Sequence, residues 1–287
     1  MKLLIEPASK NSLNLDNVNG LILSLKDYSV QSTIYFDLEE IKQIKKENPS
    51  LELFININKN LLNSDIEPLK EVLKELDELN LQGIFFYDLA LLQLKKELNL
   101  KLDLVWSQTH MVNNFKTCNY YHSKGVKYAL LGKEITLEEI IEIIKKSSIT
   151  PMVEVLGLPS VAFSKRKLIT NYYKDLNKET KPTLDVLEKV TNSTYHLTED
   201  KNGTSFFLKE LVNGTAIIKE LYENNLEYII MRGYGIEEEL FTEIVKDTKE
   251  YLSTNCTDIS YVTKYEKLGN NTNFFFKKTI YQVKKNV

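Results

Sequence analysis

Short apolar runs recur along this chain, separated by longer segments of helical period, and this alternation constrains the fold more than any other feature. Eight of the runs have the length and the apolar or β-branched character of buried strands. They occupy residues 3–6, 21–25, 53–57, 84–87, 102–106, 128–131, 152–156 and 228–231. Continuous apolar runs are typical of parallel strands that are covered on both faces.

The segments between these runs predict helices. In IEPLKEVLKELDELN, residues 66–80, the apolar side chains share one helical face and the charges lie opposite. Thr136 and Glu139 have the spacing of a capping box and precede an apolar helical pattern. Weaker helical patterns cover residues 37–47, 89–98, 114–124, 215–224 and 236–252.

Alternating strands and helices predict a parallel sheet covered by helices, and eight strands favour closure into a TIM-like (β/α)₈ barrel, regular or distorted. An open, doubly wound sheet is the alternative. We expect residues 1–287 to form one barrel domain. The stretch 158–225 is too long for a single crossover, so it is predicted as an insertion at the barrel mouth that carries a basic segment and a hairpin turning at Asn202 and Gly203.

Composition limits the classes of partner. The chain has 37 Lys and Arg against 40 Asp and Glu, a formal charge of −3, so any site for a polyanion must be local. Its two cysteines provide neither a disulfide framework nor a CxxC metal motif, which favours a reducing cytoplasm. No run approaches 18 apolar residues, and we expect no membrane association.

Two carboxylates are candidate catalytic groups. Glu134 follows the sixth predicted strand and Glu154 lies within the seventh, so both could reach the mouth as acid, base or hydrogen-bond anchor. The alternatives are an exposed Glu134 at a helix start and a Glu154 that is paired within the structure, because a carboxylate in an apolar strand needs a partner.

Polar and basic residues near the predicted strand ends are candidate binding groups. Lys165, Arg166 and Lys167 are consecutive, and in a loop or at a helix start they could bind phosphates, with Tyr172 close by to stack on a base. A solvated cationic turn is the alternative. Gln108 follows the fifth strand as a candidate ligand contact, and Arg232 ends the eighth.

Common enzyme motifs are missing. HExxH, GxSxG, GxxxxGK[ST] and GxGxxG do not occur, and His110 has no partner spacing typical of a nucleophilic triad. These absences remove the usual sequence support for zinc proteases, serine hydrolases, P-loop proteins and dinucleotide enzymes.

Four segments together resemble the peptidase U32 family over nearly the whole chain. They are VWSQTHMVNNFKTCNYYHSKGVKYALLGKEITLEEI, EVLGLPSVAFSKRKLITNYY, EDKNGTSFFL and NFFFKKTIY. The resemblance implies a barrel fold and, beside the peptidase name, participation in RNA or ubiquinone hydroxylation with a 4Fe–4S cluster on four cysteines. It is strongest for short members from low-GC Gram-positive bacteria, whose longer paralogue resembles enzymes that hydroxylate wobble uridine in tRNA.

This chain departs from the family at the cluster. Two family cysteines belong to a segment resembling HGALCxxYSGRCLLSNY, and Ser160 and Lys167 stand at their positions, whereas Ser164, Arg166 and Asn171 match. With two cysteines in total the chain cannot supply four thiolates, so we expect no cluster and no other cofactor or metal. The family's KI[DE]G also changes, since Arg232 replaces the acid.

The sequence is compatible with three functions. The first is an accessory protein for tRNA wobble-uridine 5-hydroxylation, with Ser164, the three cations, Asn171 and Tyr172 contacting tRNA or a longer U32 paralogue. The second is a peptidase, as the family name says. The third is a barrel in which Glu134, Glu154 and Arg232 hold a small carboxylate.

Overall fold

The strands and helices follow the predicted alternation. A computed structural model of the protein describes residues 1–32, 34–108, 110–190, 192–269 and 275. The strands are β1 Lys2–Glu6, β2 Gly20–Ser24, β3 Glu52–Ile57, β4 Gly83–Phe86, β5 Leu104–Trp106, β6 Tyr128–Leu130, β7 Thr150–Gly157, β8 Ser160–Ser164, β9 Thr183–Glu188, β10 Ser193–Asp200, β11 Gly203–Leu208, β12 Val212–Asn213 and β13 Tyr228–Arg232. The helices are α1 Leu38–Glu47, α2 Asn63–Glu78, α3 Ala90–Leu98, α4 Phe115–Ser123, α5 Leu137–Lys146, α6 Leu168–Asp175, α7 Ile218–Glu223, α8 Glu238–Ser253 and α9 Ile259–Tyr265.

Eight parallel strands close into a barrel. Their order around the ring is β7, β13, β1, β2, β3, β4, β5 and β6, and β6 pairs again with β7. This closing pair, in which Tyr128 lies opposite Thr150, confirms the barrel and overturns the open-sheet alternative. All eight predicted strands are present, each shifted by no more than a few residues.

The barrel is distorted at two crossovers. A 3₁₀ turn, Leu15–Asn17, stands between β1 and β2 where a regular barrel has a helix. Before β13, the predicted helix 215–224 is a 3₁₀ turn, Thr215–Ile217, followed by α7. The capping box is confirmed: the Thr136 backbone N–H donates to Glu139 Oε2 at 2.8 Å, and the Glu139 N–H donates to Thr136 Oγ1 at 3.3 Å.

Side chains alternate in direction along the barrel strands, which sorts them into layers. The barrel interior contains Leu4, Ile22, Phe54, Phe85, Val105, Tyr128, Leu130, Met152, Tyr228 and Ile230. The Phe54 ring contacts Phe85, Tyr128 and Tyr228 edge to face, at centroid distances between 5.7 and 5.9 Å. The interior is therefore a packed core, and any ligand must bind above it.

A second sheet lies within the predicted insertion 158–225. Its order is β8, β11, β10, β9, all antiparallel, and we call it the mouth sheet. The hairpin is confirmed, because Asp200 pairs with Gly203 across the turn between β10 and β11. Gln31 Nε2 donates to the Ala162 carbonyl at 3.3 Å, and Tyr35 donates to Asp200 at 2.9 Å, so the sheet is held against the mouth loops.

None of the helices in the described ranges combines the length and the apolar composition that crossing a bilayer requires. Of the terminal segment NFFFKKTIY, only Phe275 lies within the described residues, where it is buried.

Candidate functional site

A polar layer lies directly above the barrel core, because the residue two positions after an inward-facing side chain points inward again. In this way Leu4 is followed by Glu6, Ile22 by Ser24, Phe54 by Asn56, Met152 by Glu154 and Ile230 by Arg232. Glu6, Ser24, Asn56 and Glu154 are buried. The period of the strands thus delivers polar side chains from five strands to one level at the mouth.

Four charged side chains of this level form one network. Lys133, which follows β6, contacts Glu154 Oε1 at 2.5 Å. Arg232 Nε donates to Glu154 Oε2 at 2.8 Å, and its NH1 donates to Glu6 Oε2. Ser24 and Ser32 donate to the second Glu6 oxygen at 3.3 and 3.0 Å. The Glu154 side chain is only 2% exposed, so these partners replace its hydration.

Burial and neighbouring charges shift the pKa values of the network's side chains in opposite directions. Burial acts to raise the pKa of Glu154, but Lys133 and Arg232 outweigh it and hold this pKa below its usual range. Burial lowers the pKa of Lys133, an effect that Glu154 opposes. Burial acts to lower the pKa of Arg232, but the carboxylates of Glu6 and Glu154 outweigh burial and raise this pKa. The geometry of the network pairs two basic side chains with two carboxyl groups.

Gly157 lies against this network at the end of β7. Its φ is +156°, and a Cβ atom there would lie 2.8 Å from Glu154 Oε1 and 3.1 Å from Arg232 Cβ. A side chain at this position would push on the ion pair, which gives a local physical reason for glycine.

A chamber of about 370 Å³ separates the polar layer from the mouth sheet. Its floor includes Glu6, Asn56, Glu154 and Arg232, and β8 and β11 cover it. Five aromatic residues contribute to the lining: Phe85 from the barrel core below, and Tyr87, Phe163, Phe207 and Tyr234. An enclosed space with mixed polar and aromatic walls at the carboxyl ends of barrel strands is the usual position of a ligand site.

The structure separates the two predicted catalytic residues. Glu154 lies in the chamber floor, paired as one alternative expected. Glu134 is exposed at the rim, where it contacts His110 Nδ1 at 3.1 Å, and it does not line the chamber. Glu134, Glu154 and Arg232 therefore do not converge on one carboxylate site, and Arg232 already binds two carboxylates.

Gln108 also lies outside the chamber lining. Its Oε1 accepts a hydrogen bond from Trp106 Nε1 at 3.0 Å, and its Nε2 donates to the Tyr87 carbonyl at 2.6 Å. Both ends of the amide therefore fix the loops after β4 and β5. A ligand contact by Gln108 stays a prediction.

The three cations form an exposed turn between β8 and α6, which we call the cationic turn (Lys165, Arg166 and Lys167). Lys165 Nζ donates to the Asn60 carbonyl at 3.3 Å, and Lys167 Nζ donates to the Asp200 carbonyl. Ser164 shapes the turn, since its Oγ accepts from the Arg166 backbone N–H at 3.2 Å. Asn171 and Tyr172 are exposed on α6. Lys165 therefore lies beside the chamber, since Asn60 is part of the chamber lining, and binding by the predicted residues Ser164, Lys165, Arg166, Lys167, Asn171 and Tyr172 stays a prediction.

Three residues of the floor are not among the predicted site residues: Glu6, Asn56 and Lys133. The first two carried a signal, because each stands two positions after an apolar residue of a predicted strand. Lys133 follows β6 in the tripeptide Gly132-Lys133-Glu134, and the neighbouring Glu134 was chosen instead.

The site does not fit the iron–sulfur cluster that the family resemblance implies. Ser160 lines the chamber and Lys167 binds a carbonyl, while Cys118 on α4 and Cys256 beyond α8 are buried on different sides of the barrel. Burial raises the pKa of each thiol to about 11. Among the described residues, no group of three or more His, Cys, Asp or Glu side chains could hold a metal ion.

Two histidine–carboxylate pairs exist, His110 with Glu134 and His196 with Asp185, the latter at 2.6 Å. In the described ranges, neither imidazole forms a hydrogen bond with a serine or cysteine side chain. The nucleophile–base contact of a triad is not assembled there.

Comparisons with known proteins identify the family of this chain. The profile of the family described as peptidase family U32 matches residues 14–278. A protein of Bacillus subtilis (strain 168) named tRNA hydroxylation protein P2 is 31% identical over 121 residues, which is 42% of this chain and 39% of that protein. The match thus spans well under half of the relative's length.

One solved structure supports the fold. The structure titled "The Structure of the U32 Peptidase Mk0906" aligns with a TM-score of 0.50 and 14% identity, covering 81% of this chain and 92% of that one. At this identity the likeness concerns the fold alone.

Proposed function

This chain belongs to peptidase family U32, and from that premise we propose that it is an accessory protein of tRNA wobble-uridine 5-hydroxylation that binds RNA through the cationic turn. The name of the Bacillus subtilis relative supports the tRNA-modification context. The observation that carries the RNA contact is a run of three exposed cations beside the chamber that form no salt bridge among the described residues. A cytoplasmic location and a longer U32 paralogue as a further partner belong to the same proposal.

The segment of residues 160–181, which includes the cationic turn, has a net charge opposite in sign to that of the rest of the chain. Residues 160–181 contain six Lys and Arg and two Asp and Glu, a net charge of +4. The rest of the chain has 31 basic and 38 acidic residues by subtraction from 37 and 40, a net charge of −7. A local positive surface on an acidic protein attracts a polyanion to one place.

The three cations of the turn have no salt-bridge partner in the part of the chain that the structure describes. Lys165 and Lys167 each donate to a backbone carbonyl. Lys165 also lies near Asp65, where it is one of the groups that lower the pKa of that carboxyl against the effect of burial. Tyr172 is 49% exposed on the adjoining helix, where its ring meets Tyr173 edge to face. Cations beside an exposed aromatic ring suit a single-stranded or looped RNA segment.

The test compares two triple variants of the full chain. Lys165→Ala, Arg166→Ala and Lys167→Ala together remove the turn's charge. Lys96→Ala, Lys101→Ala and Lys145→Ala remove three exposed cations near the opposite end of the barrel. Binding of a tRNA transcript is followed by fluorescence anisotropy over a salt series.

We expect the turn variant to bind tRNA weakly. The plot of log binding constant against log salt concentration should become less steep by about 2, since each phosphate contact contributes roughly 0.7–0.9 to the slope. The control variant should change little. Equal affinity and slope for both variants would reject the RNA contact. Deletion of the gene, followed by mass spectrometry of 5-hydroxyuridine derivatives in bulk tRNA, tests the pathway separately.

A further inference from the structure

Lys133 is the lysine of the chamber lining among the described residues. Its side chain is 23% exposed and that of its partner Glu154 is 2% exposed, so the amine is the more accessible member of the pair. Lys133 Nζ donates to Glu154 Oε1 at 2.5 Å and has no other hydrogen-bond partner in the described ranges. Since an ammonium group has three N–H donors, two of them remain available to a molecule in the chamber.

The network depends less on the charge of Lys133 than on that of Arg232. If Lys133 loses its proton, Glu154 still has the hydrogen bond from Arg232 Nε at 2.8 Å, and the pair between Arg232 and Glu6 is untouched. Burial lowers the pKa of Lys133 and the charge of Arg232 lowers it further, against the effect of Glu154. These surroundings favour an amine that can release its proton, which is a role beyond that of a counter-ion.

A lysine amine beside a carboxylate is the arrangement that carbonyl chemistry uses. Lysines that are desolvated or that lie next to a second cation form imines with aldehydes and ketones. The first adduct must lose water, which requires proton transfer to its oxygen, and Glu154 Oε1 is within hydrogen-bond distance of the reacting nitrogen. The chamber volume of about 370 Å³ is in the range of small-molecule sites.

We propose that the chamber is a reaction site for a small aldehyde or ketone, with Lys133 as the nucleophile and Glu154 as the group that transfers protons. The geometry that carries this proposal is the contact of an accessible amine with a buried carboxylate at the wall of an enclosed space. The inference goes beyond the proposed RNA contact and does not depend on it.

The reaction balances without an oxidant or a reductant. The Lys133 ammonium gives one proton to Glu154, and the free amine attacks the carbonyl carbon, so that a C–N bond forms while the carbonyl π electrons move to oxygen. Glu154 returns this proton to the oxygen and then carries a second proton from nitrogen to the resulting hydroxyl. The C–O bond breaks, water leaves, and a protonated imine of Lys133 remains.

Reductive trapping tests the proposal on the full chain. The protein is incubated near neutral pH with dihydroxyacetone and sodium cyanoborohydride, which reduces a protonated imine to a stable secondary amine. Peptide mass spectrometry then locates the labelled lysines and gives the rate of labelling at each.

Lys45 and Lys95 are internal controls in the same sample. Burial lowers the pKa of each, but each donates to backbone carbonyls and neither belongs to the chamber lining. We expect Lys133 to be labelled about tenfold faster or more, because it alone of the three has a proton-transferring carboxylate in contact. Equal labelling of the three lysines, or labelling of Lys45 and Lys95 without Lys133, would overturn the proposal.

Glu154→Gln separates proton transfer from simple charge pairing. Removing the carboxylate removes a group that raises the pKa of Lys133, so a mere counter-ion role predicts faster labelling. A role in proton transfer predicts labelling of Lys133 slower by about tenfold or more, with Lys45 and Lys95 unchanged. Faster or unchanged labelling of Lys133 in a folded variant would contradict the role of Glu154.

Because Glu154 is buried, a second variant leaves the network intact. Ala162 on β8 is exposed and lines the chamber, so Ala162→Trp should fill part of the space with an indole. Thermal melts check that both variants fold. We expect the Ala162→Trp variant to lose most of the labelling at Lys133 and none at Lys45 or Lys95. Undiminished labelling of Lys133 would show that the carbonyl compound does not react in the chamber, and would refute the inference.

Discussion

Replacing Arg232 with glutamine should be among the most destabilising single changes to the floor. The guanidinium donates to Glu6 and Glu154, whose side chains are 10% and 2% exposed. Without it, Glu154 keeps its salt bridge to Lys133, whereas Glu6 loses its salt bridge and, among the described residues, keeps the hydrogen bonds from the Ser24 and Ser32 hydroxyls. Removing one partner of a buried ion pair costs about 3–5 kcal/mol, because the remaining charge stays buried.

That cost is large beside a total stability of about 5–15 kcal/mol. At about 2–4 °C per kcal/mol, the value for domains of 150–250 residues, the melting temperature should fall by roughly 6–20 °C. The assay is urea unfolding followed by circular dichroism, with the midpoint and slope fitted separately so that a change in the unfolded state is detected.

Lys42→Gln is the matched control. Lys42 also contacts two carboxylates, Glu39 at 2.7 Å and Glu75 at 2.6 Å, but these side chains are exposed. We expect little change, since water and salt screen exposed pairs. The double variant Glu6→Gln with Arg232→Gln should recover part of the loss, because it removes the stranded charge. If Arg232→Gln costs no more than Lys42→Gln, or if the double variant recovers nothing, the account of the floor is refuted.

Two further predictions concern carboxylates. The pKa of Glu154 is lowered in the folded protein, so its contribution to stability is present above its ordinary value of 4.5 and is lost as pH falls through the folded pKa. The stability difference between the protein and Glu154→Gln should therefore be largest above pH 5 and shrink in acid, and a constant difference would contradict this. Glu199 accepts from the Ile169 N–H at 2.8 Å and from the Thr204 hydroxyl at 2.9 Å. Glu199→Gln should loosen the start of α6 and speed tryptic cleavage at the cationic turn, and unchanged digestion would count against that role.

The barrel was predictable because its strands are buried on both faces and therefore read as continuous apolar runs. The apolar runs do not show whether the sheet closes, because the pairing of β6 with β7 depends on the twist and stagger of the whole sheet. The same closure brings Lys133 to Glu154. Sequence spacing places each residue at the mouth but does not say which side chains meet, so Glu134 was an equally reasonable choice.

The mouth sheet was harder to predict than the barrel. Only the hairpin of β10 and β11 carried a turn signal, at Asn202 and Gly203. The outer strands β8 and β9 are short and contain no buried residue, so their sequences lack the apolar pattern that identifies a buried strand. Their pairing depends on long-range contacts rather than on local preference.

Polar contacts hold the segment from β8 to α6 against the hairpin of the mouth sheet. Lys167 donates to the Asp200 carbonyl at the hairpin turn. Glu199, from the same hairpin, accepts from the first turn of α6, and these hydrogen bonds outweigh burial and lower its pKa. Hydrogen bonds to one hairpin thus fix both the cationic turn and the start of α6 while the three cations stay exposed. Loss of the Glu199 contacts should therefore loosen the turn without changing its charge.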